Sequence, residues 1–245
     1  MLSSIAHRLK GRSAGEIVRL IGHNIAYHVR ELSPQARRRN RAFRAFDEQW
    51  GTDTFEMREL HTLTVDPALA SHARRYQASN GGNMSSWFAD LDVDFARTAF
   101  IDFGCGKGRA VLEAARFPFA RVIGVEFAPE LVDIALRNRE IMAARGGLTA
   151  PVEFLCMDAA RYRPPADLDL VCFFYDPFDD TVMAPVAERL TALTQPVSVI
   201  YLEPHCVGQF RKSGHWAEGM SVDNLVLRNP AALRRAGDNS PPDWL

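Results

Sequence analysis

Apolar and polar residues alternate in blocks along the second half of the chain. Short runs rich in Val, Ile, Leu and Phe lie near 99–103, 121–126, 152–156, 168–174 and 197–202. Their length and their β-branched and aromatic content predict strands buried on both faces. Longer stretches near 107–116, 129–144 and 180–194 carry apolar residues at helical spacing. Pro129 suits a first helical turn, and Gly146-Gly147 stops that helix. Strands alternating with helices predict a parallel sheet covered on both faces. After the fifth strand, 204–213 reads as a helix, and 215–221 with 223–228 as an antiparallel hairpin. The pattern predicts an α/β fold, a doubly wound sheet of about seven strands over residues 98–228.

The first half is patterned differently. Ser13-Ala14-Gly15-Glu16 matches a capping box, in which the serine and glutamate side chains satisfy free backbone N–H groups. Ile17, Leu20, Ile21, Ile25, Val29 and Leu32 then share one face of a helix over 14–32 that Ser33-Pro34 ends. Residues 1–45 form a basic helical extension, and 46–97 a lead-in segment. In the lead-in, Asn80-Gly81-Gly82-Asn83 is a turn, and Trp87, Phe88 and Leu91 pack a short helix on the sheet. Residues 229–245, with Pro230, Pro241, Pro242 and few apolar groups, read as a flexible tail.

Charge sharpens this division. The formal net charge is −1, yet residues 1–50 hold ten Lys and Arg against four Asp and Glu. Arg37, Arg38, Arg39, Arg41 and Arg44 form the densest run. A basic amphipathic segment can contact nucleic acid, an anionic membrane surface or a second subunit. Packing on the domain or on a subunit is the preferred reading, because such patterns are common. No stretch of 18 apolar residues occurs, so no transmembrane segment is expected. The four cysteines, at 105, 156, 172 and 206, include no C-x-x-C pair, which argues against a zinc framework. Cys156 and Cys172 fall in apolar runs and read as core thiols. Reduced cysteines and the lack of a secretory segment point to the cytoplasm.

The chemistry concentrates where the first strand ends. Asp102-Phe103-Gly104-Cys105-Gly106-Lys107-Gly108-Arg109 is a glycine-rich turn between strand and helix, and Glu126 closes the second strand 22 residues after Gly104. A dinucleotide turn needs G-x-G-x-x-G, and Arg109 stands where its third glycine belongs. The phosphate-binding G-x-x-x-x-G-K-[ST] spacing fails as well. An acid directly before the turn is awkward for a pyrophosphate but suits a cationic ligand. S-adenosyl-L-methionine carries a sulfonium and an ammonium and no phosphate. Glu126 is placed to accept hydrogen bonds from both ribose hydroxyls. Asp102, Gly104, Gly106, Gly108 and Glu126 are therefore the candidate cofactor-binding residues, and no metal is implied.

This turn resembles the first motif of the class I S-adenosylmethionine-dependent methyltransferases, and the likeness covers about residues 98–228. More narrowly, Phe46-Asp47…Gly51-Thr52-Asp53-Thr54, the turn itself and Tyr175-Asp176-Pro177-Phe178 resemble a set of bacterial methyltransferases of unassigned substrate. The resemblance implies a Rossmann-like sheet and methyl transfer from S-adenosyl-L-methionine. It implies that Asp158, after the third strand, faces the adenine amino group; a helix cap is the alternative use of that residue. Tyr175-Asp176-Pro177-Phe178 resembles the D/N-P-P-Y/F loop of amino methyltransferases without its second proline. That likeness makes Asp176 and Phe178 the candidate catalytic residues. The turn and its flanking segment also look loosely like the non-SET lysine methyltransferases, and a protein lysine or other amine is slightly favoured as acceptor. Lead-in segments of the family also imply that Tyr76 and Asp53-Thr54 line the pocket.

Glu203 and His205, at the end of the fifth strand, are further candidates for removing a proton from an acceptor. A nicotinamide-dependent oxidoreductase and a non-catalytic adaptor with the same fold are the competing readings. Arg109 argues against the first, and the intact pocket residues argue against the second.

Overall fold

The computed structural model describes residues 34–55, 84–221 and 224–235. The chain divides into two compact units, residues 1–42 and 43–245. Helix α1 spans Pro34–Trp50 and carries the arginine run. The helix expected over 14–32, the turn at 80–83 and Tyr76 lie outside the described residues.

The second unit is built on one seven-stranded sheet. Its strands are β1 (Thr98–Phe103), β2 (Arg121–Glu126), β3 (Val152–Cys156), β4 (Asp169–Tyr175), β5 (Val197–Leu202), β6 (Ala217–Ser221) and β7 (Asn224–Arg228). The order across the sheet is β3-β2-β1-β4-β5-β7-β6, with β1 to β5 parallel and the β6–β7 hairpin antiparallel. Helices α2 (Met84–Asp90), α3 (Arg109–Ala114), α4 (Pro129–Ala144), α5 (Asp180–Thr191), α6 (Gly208–Arg211) and α7 (Pro230–Arg235) complete it.

The alternation of side chains along β1 explains the layers. Ala99, Ile101 and Phe103 point to one face, where Met183, Val186, Ala187 and Leu190 of α5 cover them. Phe100 points to the other and packs with Trp87 and Phe88 of α2 and Val111 of α3. Each face thus gets its own apolar layer, and β1 is buried along its whole length. Strand order reverses between β1 and β4, so their carboxyl ends splay around a crevice, the usual ligand position in such sheets.

Three expectations need correction. Residues Pro230–Arg235 form α7 rather than a loose tail. Buried Asn229 is the reason: its Oδ1 accepts from Ala232 N at 2.9 Å and from Val197 N at 3.0 Å, which caps the helix and ties it to β5. Cys156 is exposed, because β3 is the sheet edge and its apolar run is only partly covered; Cys172 is buried. The segment after β5 is helical only over Gly208–Arg211.

Candidate functional site

The turn after β1 is pinned from below by backbone bonds. Gly104 N and Cys105 N both donate to Val125 O, at 2.8 and 3.1 Å, and Gly108 N donates to Cys105 O at 2.8 Å. Two glycines here have no substitute. Gly104 has φ +81° and a Cβ on it would stand 2.4 Å from Pro177 Cβ; Gly108 has φ +84° and its Cβ would meet the Phe154 ring at 2.6 Å. Gly104 is therefore where the turn of β1 touches the loop after β4.

Asp102 and Glu126 converge beside this turn, both nearly enclosed. Glu126 Oε2 accepts from Gly106 N at 2.9 Å, and Oε1 accepts from Phe127 N and Ala128 N at 2.9 and 3.0 Å. Burial raises the Glu126 carboxyl above the ordinary range against the lowering effect of those three donors. Burial, then the neighbouring Glu126 charge, push the Asp102 carboxyl well above it. Among the described residues no hydrogen bond to the Asp102 carboxylate contributes to its shift. Two buried acids, one of them without such a donor among the described residues, make a place that a cation would relieve. Burial and the same two carboxylates push the Cys105 thiol up as well, so it is not poised as a nucleophile.

The lead-in clamps the turn from the other side. The Asp47 carboxylate accepts from Thr52 Oγ1, Thr54 Oγ1, Thr54 N and Phe55 N at 2.7 to 3.1 Å, which folds 51–55 into a fixed loop. Buried Asn138 on α4 reads that loop as backbone. Its Oδ1 accepts from Asp53 N at 2.8 Å, and its Nδ2 donates to Asp53 O and Lys107 O at 3.0 and 3.1 Å. Lys107 is fully buried, and its ammonium meets Asp53 Oδ1 at 2.6 Å. Arg109, where a dinucleotide turn would have glycine, stacks 3.8 Å over the Phe46 ring and donates to Glu113 at 2.7 Å and Thr54 Oγ1 at 3.3 Å. Asp53-Thr54 thus meets the side chains of the turn itself.

Asp158 follows β3 and caps the short 3-10 helix Ala159–Arg161, its side chain accepting from Ala160 N at 2.8 Å. At the end of β4, Asp176 has φ 40° and its Oδ2 lies 3.1 Å from His205 Nδ1. Glu203, at the end of β5, has φ 50°. Ligand atoms of Asp176, Glu203 and His205 all lie within 4.8 Å of one another. Phe178 departs from its expected place. It is 6% exposed and packs edge-on against Phe174 in the core, so its ring does not line the crevice. The apolar neighbours under β4 and α5 outcompete the crevice for that ring.

The sequence brings Asp102, Gly104, Gly106, Gly108 and Glu126 to one turn, and Asp176 to the far wall. It did not reveal Asp47, Asn138 and Lys107 as the holders of that turn. The one signal was a lysine and an arginine inside a tight turn leading into a buried helix, since long charged chains there must find partners. No helix among the described residues is long and apolar enough to cross a membrane.

Residues 100–196 match a family described as a methyltransferase domain. No curated protein matches the chain. Among solved structures it is similar to an RNA methyltransferase from Salinibacter ruber in complex with S-adenosyl-L-homocysteine, at 26% identity over 61% of this chain and 90% of that one, with a TM-score of 0.44. It is also similar to magnesium protoporphyrin IX methyltransferase from Synechocystis with bound cofactor, at 16% identity over 60% of this chain and 77% of that one, TM-score 0.41. A third is TrmN from Thermus thermophilus, at 18% identity over 59% of this chain and 47% of that one, TM-score 0.44.

Proposed function

We propose that this chain, whose residues 100–196 match a methyltransferase-domain family, transfers a methyl group from S-adenosyl-L-methionine to an amine presented at the ends of β4 and β5. The observation that carries the reading is the pairing of Asp102 and Glu126 beside a side-chain-free turn. A cationic, phosphate-free nucleoside fits two buried acids, and the glycines let its body approach the backbone.

The cofactor brings a methyl group already activated on a sulfonium, so the protein's work is alignment and preparation of the acceptor. Asp102 faces the cationic end. Glu126 holds the turn through Gly106 N and offers its oxygens to the ribose hydroxyls. Asp158 is the adenine-side acid, and its cap on Ala160 fixes its direction. Lys107, Asn138 and Arg109 keep the turn in place through Asp53 and Thr54. Asp176 and Glu203 put negative charge at the acceptor mouth, which draws in an ammonium. The basic extension 1–45 packs on the domain or on a second subunit, with nucleic acid or an anionic membrane surface as the other contacts its charge suits.

Incubation with methyl-labelled cofactor and a cell lysate, followed by sorting of label into protein, RNA, lipid and metabolite fractions, tests the reading. Label in protein lysines or small amines supports it. Label only on carbon or oxygen atoms, in whichever fraction it falls, refutes the amine assignment.

A further inference from the structure

Two neighbouring strands of the sheet end in the same unusual way. Asp176 after β4 and Glu203 after β5 both take positive φ, 40° and 50°, although neither is glycine. Such backbone is strained and persists where the surroundings demand it. In the segment after β5, His205 N donates to Glu203 O at 2.7 Å, and the imidazole lies against the Asp176 carboxylate.

The contact bears on where the proton sits. Asp176 Oδ2 lies 3.1 Å from His205 Nδ1, and a carboxylate oxygen there accepts from that nitrogen when it carries the hydrogen. Neutral imidazole then carries its lone pair on Nε2. The Asp176 side chain is 13% exposed, whereas the His205 side chain, at the end of the fifth strand, is 55% exposed. Among the described residues, Glu203 has a carboxylate oxygen within 4.8 Å of both ligand atoms of this pair. The two carboxylates attract an ammonium, but they also favour its protonated form, which has no lone pair. A cationic mouth-filler therefore needs a proton acceptor beside the acids. Histidine is the side chain whose ordinary titration lies near neutrality.

We propose that His205 removes the proton from the amine acceptor and that Asp176 is the positioning residue that holds His205 in the Nδ1–H form. This rests on the methyl-transfer reading above. One ammonium N–H bond breaks, the proton passes to His205 Nε2, and the electron pair stays on nitrogen as the lone pair that methyl transfer consumes. The imidazolium is stabilised by Asp176 and returns its proton to solvent.

The test uses ethylamine and trifluoroethylamine as labelled-methyl acceptors, at a pH where the first is an ammonium and the second is already neutral. His205→Ala should lower kcat/KM for ethylamine by about a hundredfold or more, and for trifluoroethylamine by less than about threefold. Equal losses with both amines overturn the proposal. So does a wild-type chain that binds S-adenosylhomocysteine yet methylates neither amine. Failure to bind S-adenosylhomocysteine instead sinks the cofactor reading beneath it. Long-range nitrogen–proton spectra of the imidazole supply an independent check. Nδ1 should be the protonated nitrogen in the wild type, and Asp176→Ala should shift the proton towards Nε2. Protonation at Nε2 in the wild type, or a divalent cation on Nδ1, contradicts the dyad.

Discussion

Replacing Gly104 with alanine tests the joint between the two walls of the crevice. The new methyl would stand 2.4 Å from Pro177 Cβ and 3.6 Å from its Cα, at a backbone φ of +81°. Carbon atoms pack at about 3.5–4.0 Å, so one wall must retreat by about 1 Å. The left-handed conformation costs a residue with Cβ about 1–2 kcal/mol. Forcing an extra methyl into a filled site adds about 1–3 kcal/mol. Together these predict a loss of about 2–5 kcal/mol, a large part of the 5–15 kcal/mol typical of a domain. Urea unfolding of the full chain, with and without S-adenosylhomocysteine, measures it, and cofactor affinity should fall along with stability because the turn itself moves. Gly219→Ala on β6 is the control, since nothing lies within 4 Å of its Cβ position, and it should change stability by less than about 0.5 kcal/mol. A Gly104→Ala protein as stable as that control, with unchanged cofactor affinity, would refute the account of how the turn meets the loop after β4.

Glu126→Ala removes the acceptor of three backbone N–H groups and should weaken S-adenosylhomocysteine binding about tenfold or more; an unchanged dissociation constant in a folded variant would put Glu126 outside the pocket. Asp53→Ala leaves the buried Lys107 ammonium without its carboxylate. Breaking a buried pair costs about 3–5 kcal/mol, and with Asp53 44% exposed the loss should be about 1–3 kcal/mol in urea unfolding, partly recovered by adding Lys107→Met. An unaltered midpoint in the single variant contradicts the clamp. Asp102 and Glu126 hold their protons above the ordinary carboxylate range in the free protein, so their contribution to folding is fully present at low pH and is lost as pH rises through the raised values. A cation in the pocket favours both carboxylates. Cofactor binding should therefore release protons between the ordinary range and the raised values, and affinity should rise with pH across that window. Calorimetry in buffers of different ionisation enthalpy reads the proton count, and net uptake would be the wrong sign.

The sheet was legible because its strands are short apolar runs separated by strong stops. Pro129 opens α4 and Gly146, at φ +66°, ends the stretch after it, where the sequence puts them. The turn was legible because its geometry demands glycines at fixed positions. What escaped depends on partners far apart in the chain. Asn138 lies 85 residues from Asp53, and Lys107 lies 54 residues from it, so no local pattern announces either bond. Phe178 was misread for a related reason. An aromatic after Asp-Pro fits an acceptor loop and a core equally well, and only the neighbouring rings, Phe174 among them, decide between the two. Asn229 turned an apparent tail into a capped helix by a side-chain bond to β5, which proline content alone does not disclose.

On the proposed function, the turn between β1 and α3, with Asp102 and Glu126, takes a cationic adenosine cofactor rather than a dinucleotide. Titration calorimetry of the full chain with S-adenosyl-L-methionine, S-adenosylhomocysteine, NAD and NADP tests it most directly. The account predicts saturable one-site binding of the two adenosyl compounds, and no comparable binding of either dinucleotide, because Arg109 occupies the position a pyrophosphate turn needs for glycine. Tighter binding of NAD or NADP than of S-adenosyl-L-methionine would contradict it.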